Sequence, residues 1–309
     1  MLSRIAEHLF WLGRHLERAE NGARLVESCA SAVIELRGGG YLENWPLLTL
    51  MGDDAELNNR LMWSTWADDN PSSLKNSLVK ARENARVSRD HLSEELWETL
   101  NSAYFELRNQ SASQPDEIWS LTRLARERAQ LWFGIAHSTL PRGPALWFIR
   151  LGQSHERLDQ VLRVLLAGVA PLPQGTSPAV ADHLERTLLR SLSGYEPYRR
   201  IRHHDLSPRS VHRFLLYEAS FPRSARASAA DQKEMLERLC QTFAAASKES
   251  LEAANALLSQ VEWSTPATND LEHPERLLQI RAEVISLARK LEQGFFYRTP
   301  FEALQIQEE

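Results

Sequence analysis

Apolar residues recur at helical spacing along almost the whole chain, and this period limits the fold more than any motif does. In the first segment Ile5, Leu9, Leu12, Leu16, Ala19, Ala23, Val26 and Ala30 fall on one arc at roughly 100° per residue, the mark of an amphipathic helix. That helix is expected to run from about Leu2 to Arg37 and to stop at Gly38–Gly40, where three glycines free the backbone. Further helices are expected over Asp54–Thr65, Ser72–Asn109, Asp116–Ser138, Ala145–Gly168, Ala179–Ser193, Ser210–Ala219, Asp231–Val261 and Glu275–Phe296. Breakers fill the gaps: QSASQP (Gln110–Pro115), LPRGP (Leu140–Pro144), APLPQGTSP (Ala170–Pro178) and STPATNDLEHP (Ser264–Pro274). No run of alternating β-branched residues suggests a sheet. The expected class is all-α, a large multi-helix bundle packed by Leu, Ala and nine Trp residues. Of these, Trp63 and Trp66 flank a proline turn and are placed to be partly exposed.

A second feature is repetition. At an offset of 139, Leu12, Gly13, Glu17, Arg18 and Arg24 match Leu151, Gly152, Glu156, Arg157 and Arg163. At an offset of 151, WSTWADDNPSSLKNS (Trp63–Ser77) lines up with FLLYEASFPRSARAS (Phe214–Ser228). There Pro71, Ser73 and Ser77 answer Pro222, Ser224 and Ser228, while Trp63 and Trp66 answer Phe214 and Tyr217. The echoes keep their order, so an internal duplication is expected. It gives one domain over 1–309 built of two related halves, about 1–140 and 141–309. The copies are not identical, since His155 stands where Leu16 stands in the first.

The repeated charged residues raise a chemical question. On a helix Glu17 and Arg18 point about 100° apart and cannot pair with each other across a turn. Glu20 and Arg24 have the favourable i,i+4 order. Charges this close to an apolar arc are tolerable only when paired and hydrogen-bonded. Two readings of Glu17, Arg18, Glu20, Arg24, Glu156, Arg157, Asp159 and Arg163 therefore stand. One is a buried ion-pair network that fixes the register of two long helices; the other is a polar pocket that binds a carboxylate, amide or phosphate. If the copies pack antiparallel about a twofold axis, Glu17 pairs with Arg157 and Arg18 with Glu156.

Composition narrows the function classes. A net charge of −5 and an isoelectric point near 6.1 give no general attraction to nucleic acid or anionic membrane, and neither partner is expected. Basic residues are unevenly chosen, with 31 Arg against 5 Lys, and Arg is the better residue for planar pairing with carboxylates. Cys29 and Cys240 form no C-x-x-C spacing, fit a reducing compartment, and read as small core residues. Arg4, Glu7, Arg14 and Glu17 interrupt the first segment, so no signal peptide is expected. No segment approaches the roughly 20 apolar residues of a membrane span, and a bacterial-type cytoplasm is the expected location.

Other candidates are weaker. Arg82, Arg86 and Arg89 make a basic stripe suited to an anion, beside Glu83, Asp90, Glu94 and Glu95, which are close enough to neutralise it. His203, His204 and Asp205 are metal-ligand and proton-transfer types, in a stretch that reads as a loop. SSLK, Ser72–Lys75, fits S-x-x-K but follows Asn70-Pro71 and reads as a helix start. There is no H-E-x-x-H, no G-x-x-x-x-G-K-[ST], no G-x-S-x-G and no Glu-x-x-His pair. No cofactor and no metal are expected.

The segments MLSRIAEHLFWLGRHLERAENGARL, NPSSLKNSLVKARENAR, LLRSLSGYEPYRR and FLLYEASFPRS, in this order, resemble the bacterial alpha-E family, an α-helical domain defined by a Glu-Arg motif. The resemblance covers Met1 to about Ser228. It implies a setting beside, or fused to, circularly permuted ATP-grasp proteins and transglutaminase-like proteins, and hence a part in making or modifying amide or peptide linkages. The chain holds no ATP-grasp or transglutaminase-like segment of its own. The expected role is a non-catalytic partner of an ATP-dependent amide ligase; the alternative is an enzyme of amide or peptide modification with the Glu-Arg residues lining its site.

Overall fold

A computed structural model describes residues 3–36, 45–54, 56–109, 115–172, 176–202, 206–243, 248–262 and 274–296. The helices run in order α1 (Ser3–Glu35), α2 (Pro46–Thr49), α3 (Leu57–Thr65), α4 (Leu74–Val87), α5 (Glu94–Arg108), α6 (Pro115–Thr139), α7 (Pro144–Gly168), α8 (Pro178–Ser191), α9 (Tyr195–Arg202), α10 (Pro208–Tyr217), α11 (Ala225–Thr242), α12 (Lys248–Val261) and α13 (Pro274–Leu291). A π-helical turn, Glu292–Phe296, prolongs α13. No strand occurs among the described residues, and the chain is all-α.

Helix starts follow local chemistry. Prolines occupy the first turn of α2, α7, α8 and α10, where the missing N–H costs nothing. Ser73, Ser177, Ser207 and Ser224 cap α4, α8, α10 and α11 by accepting a backbone N–H three residues on. Two expected helices are each divided. The stretch expected over Ser72–Asn109 breaks between Ser88 and Ser93: a 3-10 turn spans Arg89–His91, Leu92 is extended, and Ser93 with Glu94 and Glu95 starts α5. A serine followed by two acidic residues is a helix start, and it outweighs the apolar period running through it. The stretch expected over Asp231–Val261 is α11, which begins earlier at Ala225, followed by α12. The short helices α2 and α9 were not foreseen, and the glycine run 38–40 lies outside the described residues.

The helices form two rings. α1, α4, α5 and α6 pack in succession, with α6 closing back on α1; α7, α11, α12 and α13 do the same, with α13 closing back on α7. The rings meet where α1 lies along α7. Trp132 on α6 is fully buried and donates its indole N–H to the Leu96 carbonyl at 3.0 Å. Trp66 is buried, against the expected partial exposure, while Trp63 is 41% exposed. Cys29 is a core residue; Cys240 is only partly buried.

The α1/α7 contact is a crossing of bare backbones. A Cβ on Gly13 would stand 2.1 Å from the Ile149 carbonyl oxygen, and a Cβ on Gly152 would stand 2.0 Å from that of Phe10. Each glycine thus faces the carbonyl three residues before the other glycine, so the crossing is reciprocal. Gly13→Ala and Gly152→Ala should each push the helices apart and cost about 3 kcal/mol or more in chemical denaturation. The double variant should cost less than the sum, because the helices separate only once.

Candidate functional site

Four residues past each glycine, one helical turn on, comes a glutamate followed by an arginine. The crossing aims each pair at the other helix. Arg157 donates from Nε and Nη2 to Glu17 at 3.0 and 2.9 Å. Arg18 donates from Nε and Nη2 to Glu156 at 2.5 and 2.9 Å. Both are two-pronged guanidinium–carboxylate pairs, the strongest geometry available to these groups. Adjacent Glu and Arg therefore serve opposite partners, as expected, but the expected antiparallel packing is not what brings them together: residues 13, 14, 17 and 18 of α1 meet 149–153, 156 and 157 of α7 in rising order, so the two helices run in the same direction.

Further donors to the same carboxylates keep this reciprocity and then depart from it. Arg14, one residue past Gly13, donates to Glu156 at 2.9 Å; Gln153, one past Gly152, donates to Glu17 at 3.1 Å. Arg223 then enters from the segment before α11 and bonds Glu17 at 2.9 Å, Glu20 at 2.7 Å and Asn21. Glu20 also accepts from Arg24, its i+4 neighbour, at 2.8 Å and from Gln130 of α6 at 3.2 Å. Five guanidiniums, those of Arg14, Arg18, Arg24, Arg157 and Arg223, thus surround three carboxylates. Arg14, Gln153, Gln130 and Arg223 were not among the residues singled out in the sequence. The 139 offset does set Arg14 against Gln153, which was the available signal for both.

Burial alone would raise the carboxyls of Glu17 and Glu156. The cations overcome it: Arg157 and Arg223 bring Glu17 down to about 2, and Arg18 and Arg14 bring Glu156 down to about 2. His15 and His155 lie beside them and are lowered to about 3 by burial first, then by Arg18 and Arg14 respectively. Both imidazoles are neutral at pH 7.

The remaining candidates separate. Asp159 leaves the crossing for Arg281 of α13, whose Nε donates to it at 2.8 Å. Arg163 stands four residues after Asp159, as Arg24 does after Glu20, yet it has no ion pair or hydrogen-bond partner among the described residues. The basic stripe is partly neutralised: Arg82 and Arg86 share the single carboxylate of Glu83, and Arg82 and Arg89 also lie over the Trp97 ring. Lys75 is held by Asp68, so Ser72 and Lys75 make no S-x-x-K dyad, and Ser73 caps α4. His203, His204 and Asp205 lie outside the described residues. No group of three or more His, Cys, Asp or Glu among the described residues is placed to hold a metal. No described helix is long and apolar enough to cross a membrane.

The two pairs differ in their surroundings. Glu17 is fully buried beneath Arg157 and Arg223. The Arg18–Glu156 pair faces a pocket of about 340 Å³ between α1, α3 and α7. The 151 offset explains the difference, because the residue answering Arg223 is Ser72, which lines that pocket.

A model of the Alpha-E family, described as a predicted alpha-helical domain with a conserved ER motif, matches residues 1–296. The chain belongs to the Alpha-E family. No curated protein and no solved structure matches it. The Glu-Arg dipeptide by itself does not locate the site in this Alpha-E chain, for it recurs at 127–128, 185–186, 237–238 and 275–276. Only at Glu17 and Glu156 does a glycine stand four residues before it.

Two outcomes test the network. In the cycle Glu17→Gln, Arg157→Met and the double variant, each single change should cost about 3–5 kcal/mol because it strands a buried charge. The double should cost clearly less than the sum. The pH dependence follows from the shifts. Glu17 and Glu156 lie below the ordinary 4.5, so their stabilisation is complete above pH 4.5 and is lost as the pH falls toward 2. His15 and His155 lie below 6.5, and theirs is complete above pH 6.5 and lost as the pH falls toward 3. Glu185, raised to about 8 by burial and Asp182, acts in the opposite sense. Its stabilisation is complete below pH 4.5 and lost as the pH rises through 8. Denaturation midpoints should fall from pH 6.5 to pH 3, and Glu185→Gln should steepen that fall over pH 4.5–6.5.

Proposed function

We propose that this Alpha-E chain is a non-catalytic partner of an ATP-grasp-type amide or peptide ligase, acting in the bacterial cytoplasm. One observation carries the non-catalytic part: both glutamates of the crossing are locked as carboxylates by paired guanidiniums, with carboxyls near 2. A general acid or base works best when its pKa lies near the operating pH. Glu17 and Glu156 are far too acidic to trade protons at pH 7, and His15 and His155, near 3, are as poorly matched. A nucleophile would also need to be free, whereas each carboxylate is engaged by at least three N–H donors. The ligase setting rests on the family resemblance, whose members stand beside permuted ATP-grasp and transglutaminase-like proteins. The ordered echoes and the two matching rings support a duplication of one unit into halves of about 1–140 and 141–309.

Co-expression with a circularly permuted ATP-grasp protein from the same organism tests the reading. The two should elute as one complex, and amide formation by the ATP-grasp protein should rise at least tenfold when this chain is added. The chain alone should show no turnover. Failure to associate with either an ATP-grasp or a transglutaminase-like protein would reject it, as would amide-forming activity of the isolated chain.

A further inference from the structure

The pocket beside Arg18 and Glu156 is more than an imperfection in the crossing. Its volume, about 340 Å³, falls at the small end of the roughly 300–1,000 Å³ of small-molecule sites. Its walls come from three directions: Asn21 and Val26 of α1, Gln160 and Arg163 of α7, and Gly52–Asp53, Trp63, Asn70 and Ser72 from the segment between α2 and α4. On the opposite flank of the crossing the Arg223 guanidinium is bonded to Glu17, Glu20 and Asn21.

Two departures from the reciprocal pattern leave charge unspent in this space. Arg24 is consumed by Glu20, whereas Arg163, its counterpart, loses Asp159 to Arg281. Arg163 therefore presents a whole guanidinium to the pocket with no partner among the described residues. At the rim stands Asp53, exposed and likewise without a hydrogen bond or ion pair among the described residues. The two are not paired with each other. The other two charged residues of the lining, Arg18 and Glu156, are engaged with one another. The free complement among the described residues is thus one cation and one anion, in a lining that also holds the Gln160 side-chain amide; the Asn70 amide is engaged, donating to the Trp63 carbonyl at 2.8 Å and accepting from the Ser72 N–H at 2.9 Å. The buried Nδ2 of Asn21 has no acceptor. The Trp63 ring closes the wall.

We propose that this pocket binds a small zwitterion, a free amino acid or short peptide, with its carboxylate on Arg163 and its ammonium on Asp53. A planar guanidinium matches a carboxylate with two parallel hydrogen bonds. One unpaired Arg against one unpaired Asp matches a ligand of zero net charge better than it matches a phosphate dianion. The Gln160 side-chain amide offers both a donor and an acceptor, the complement of a peptide group, and Asn21 Nδ2 offers a further donor. The ligand class follows from the charges in the pocket and is independent of the ligase reading.

Calorimetric titration of the full chain with glycylglycine, N-acetylglycine, glycinamide and inorganic phosphate tests the assignment. Glycylglycine should bind saturably. N-acetylglycine, which lacks the ammonium, and glycinamide, which lacks the carboxylate, should each bind at least tenfold more weakly, and phosphate more weakly still. Arg163→Gln should abolish the preference for glycylglycine over glycinamide, and Asp53→Asn the preference over N-acetylglycine. Neither residue supports another group, so both variants should keep the parent melting temperature. Ser72→Arg, which places a guanidinium where Arg223 stands on the opposite flank, should abolish binding in a folded protein. Absence of saturable binding, equal binding of the two truncated ligands and glycylglycine, preference for phosphate, or binding that survives Arg163→Gln and Ser72→Arg would each overturn the proposal.

Discussion

The contact between Gly13 and Gly152 sets the distance on which everything around it depends. Two helices separated by ordinary side chains lie about 8–10 Å apart. Here the backbones touch, with no room for even a Cβ. One turn beyond so tight a crossing the helices have barely diverged, and a glutamate on one is within reach of the arginine on the other. Widening the crossing by a methyl group would lengthen all four bonds at once. The glycines thus act on the charges through distance alone; neither touches a charged group.

Burying carboxylates carries a desolvation cost of several kcal/mol for each ion. The molecule offsets it by placing more than one cation around each. Arg157, Arg223 and Gln153 surround Glu17, and Arg18 and Arg14 surround Glu156. The direction of the shifts shows which effect wins, since burial pushes both carboxyls up and the guanidiniums pull them well below the ordinary range. Such a network adds little net stability over an apolar core, but it penalises every wrong alignment. Sliding α7 by one turn along α1 would part Glu17 from Arg157 and Arg18 from Glu156 and drive the Gly13 and Gly152 contacts into side chains. The network is best understood as a lock on register.

Much of this was legible in the sequence because the relevant physics is local or repeated. The apolar period of the first segment gives α1 nearly to its ends, and proline and serine mark the starts of α7, α8 and α10. The cross-pairing of Glu17 with Arg157 and Arg18 with Glu156 was legible for a different reason: adjacent residues on a helix cannot satisfy each other, so a repeated Glu-Arg demands a reciprocal partner. What escaped was set by distant or competing partners. The break before α5 was hidden because Leu92 and Trp97 continue the apolar period across Ser93, where the helix starts. Arg223 lies 206 residues from Glu17, and nothing in its neighbourhood announces that it folds onto α1. Asp159 looked like a member of the site and is not, because Arg281 on α13 competes for it.

The departures from symmetry carry more information than the symmetry. A reciprocal crossing with equal flanks would be closed on both sides, and would need no further explanation than register. In this chain an Arg at 223 stands against a Ser at 72, and an Arg paired at 24 stands against an Arg at 163 that has no partner among the described residues. Each difference is small, yet both fall on the same flank and both act in the same sense, removing a filling group and freeing a charge. Random drift in a purely structural network would be expected to close such a gap with apolar side chains, because an unpaired guanidinium beside a half-buried cavity gains nothing from packing. Leu25, Val26 and Met51 are at hand in that wall, and still the polar residues occupy it. The flank that departs from the repeat is therefore the part of the molecule where register does not account for the residues present.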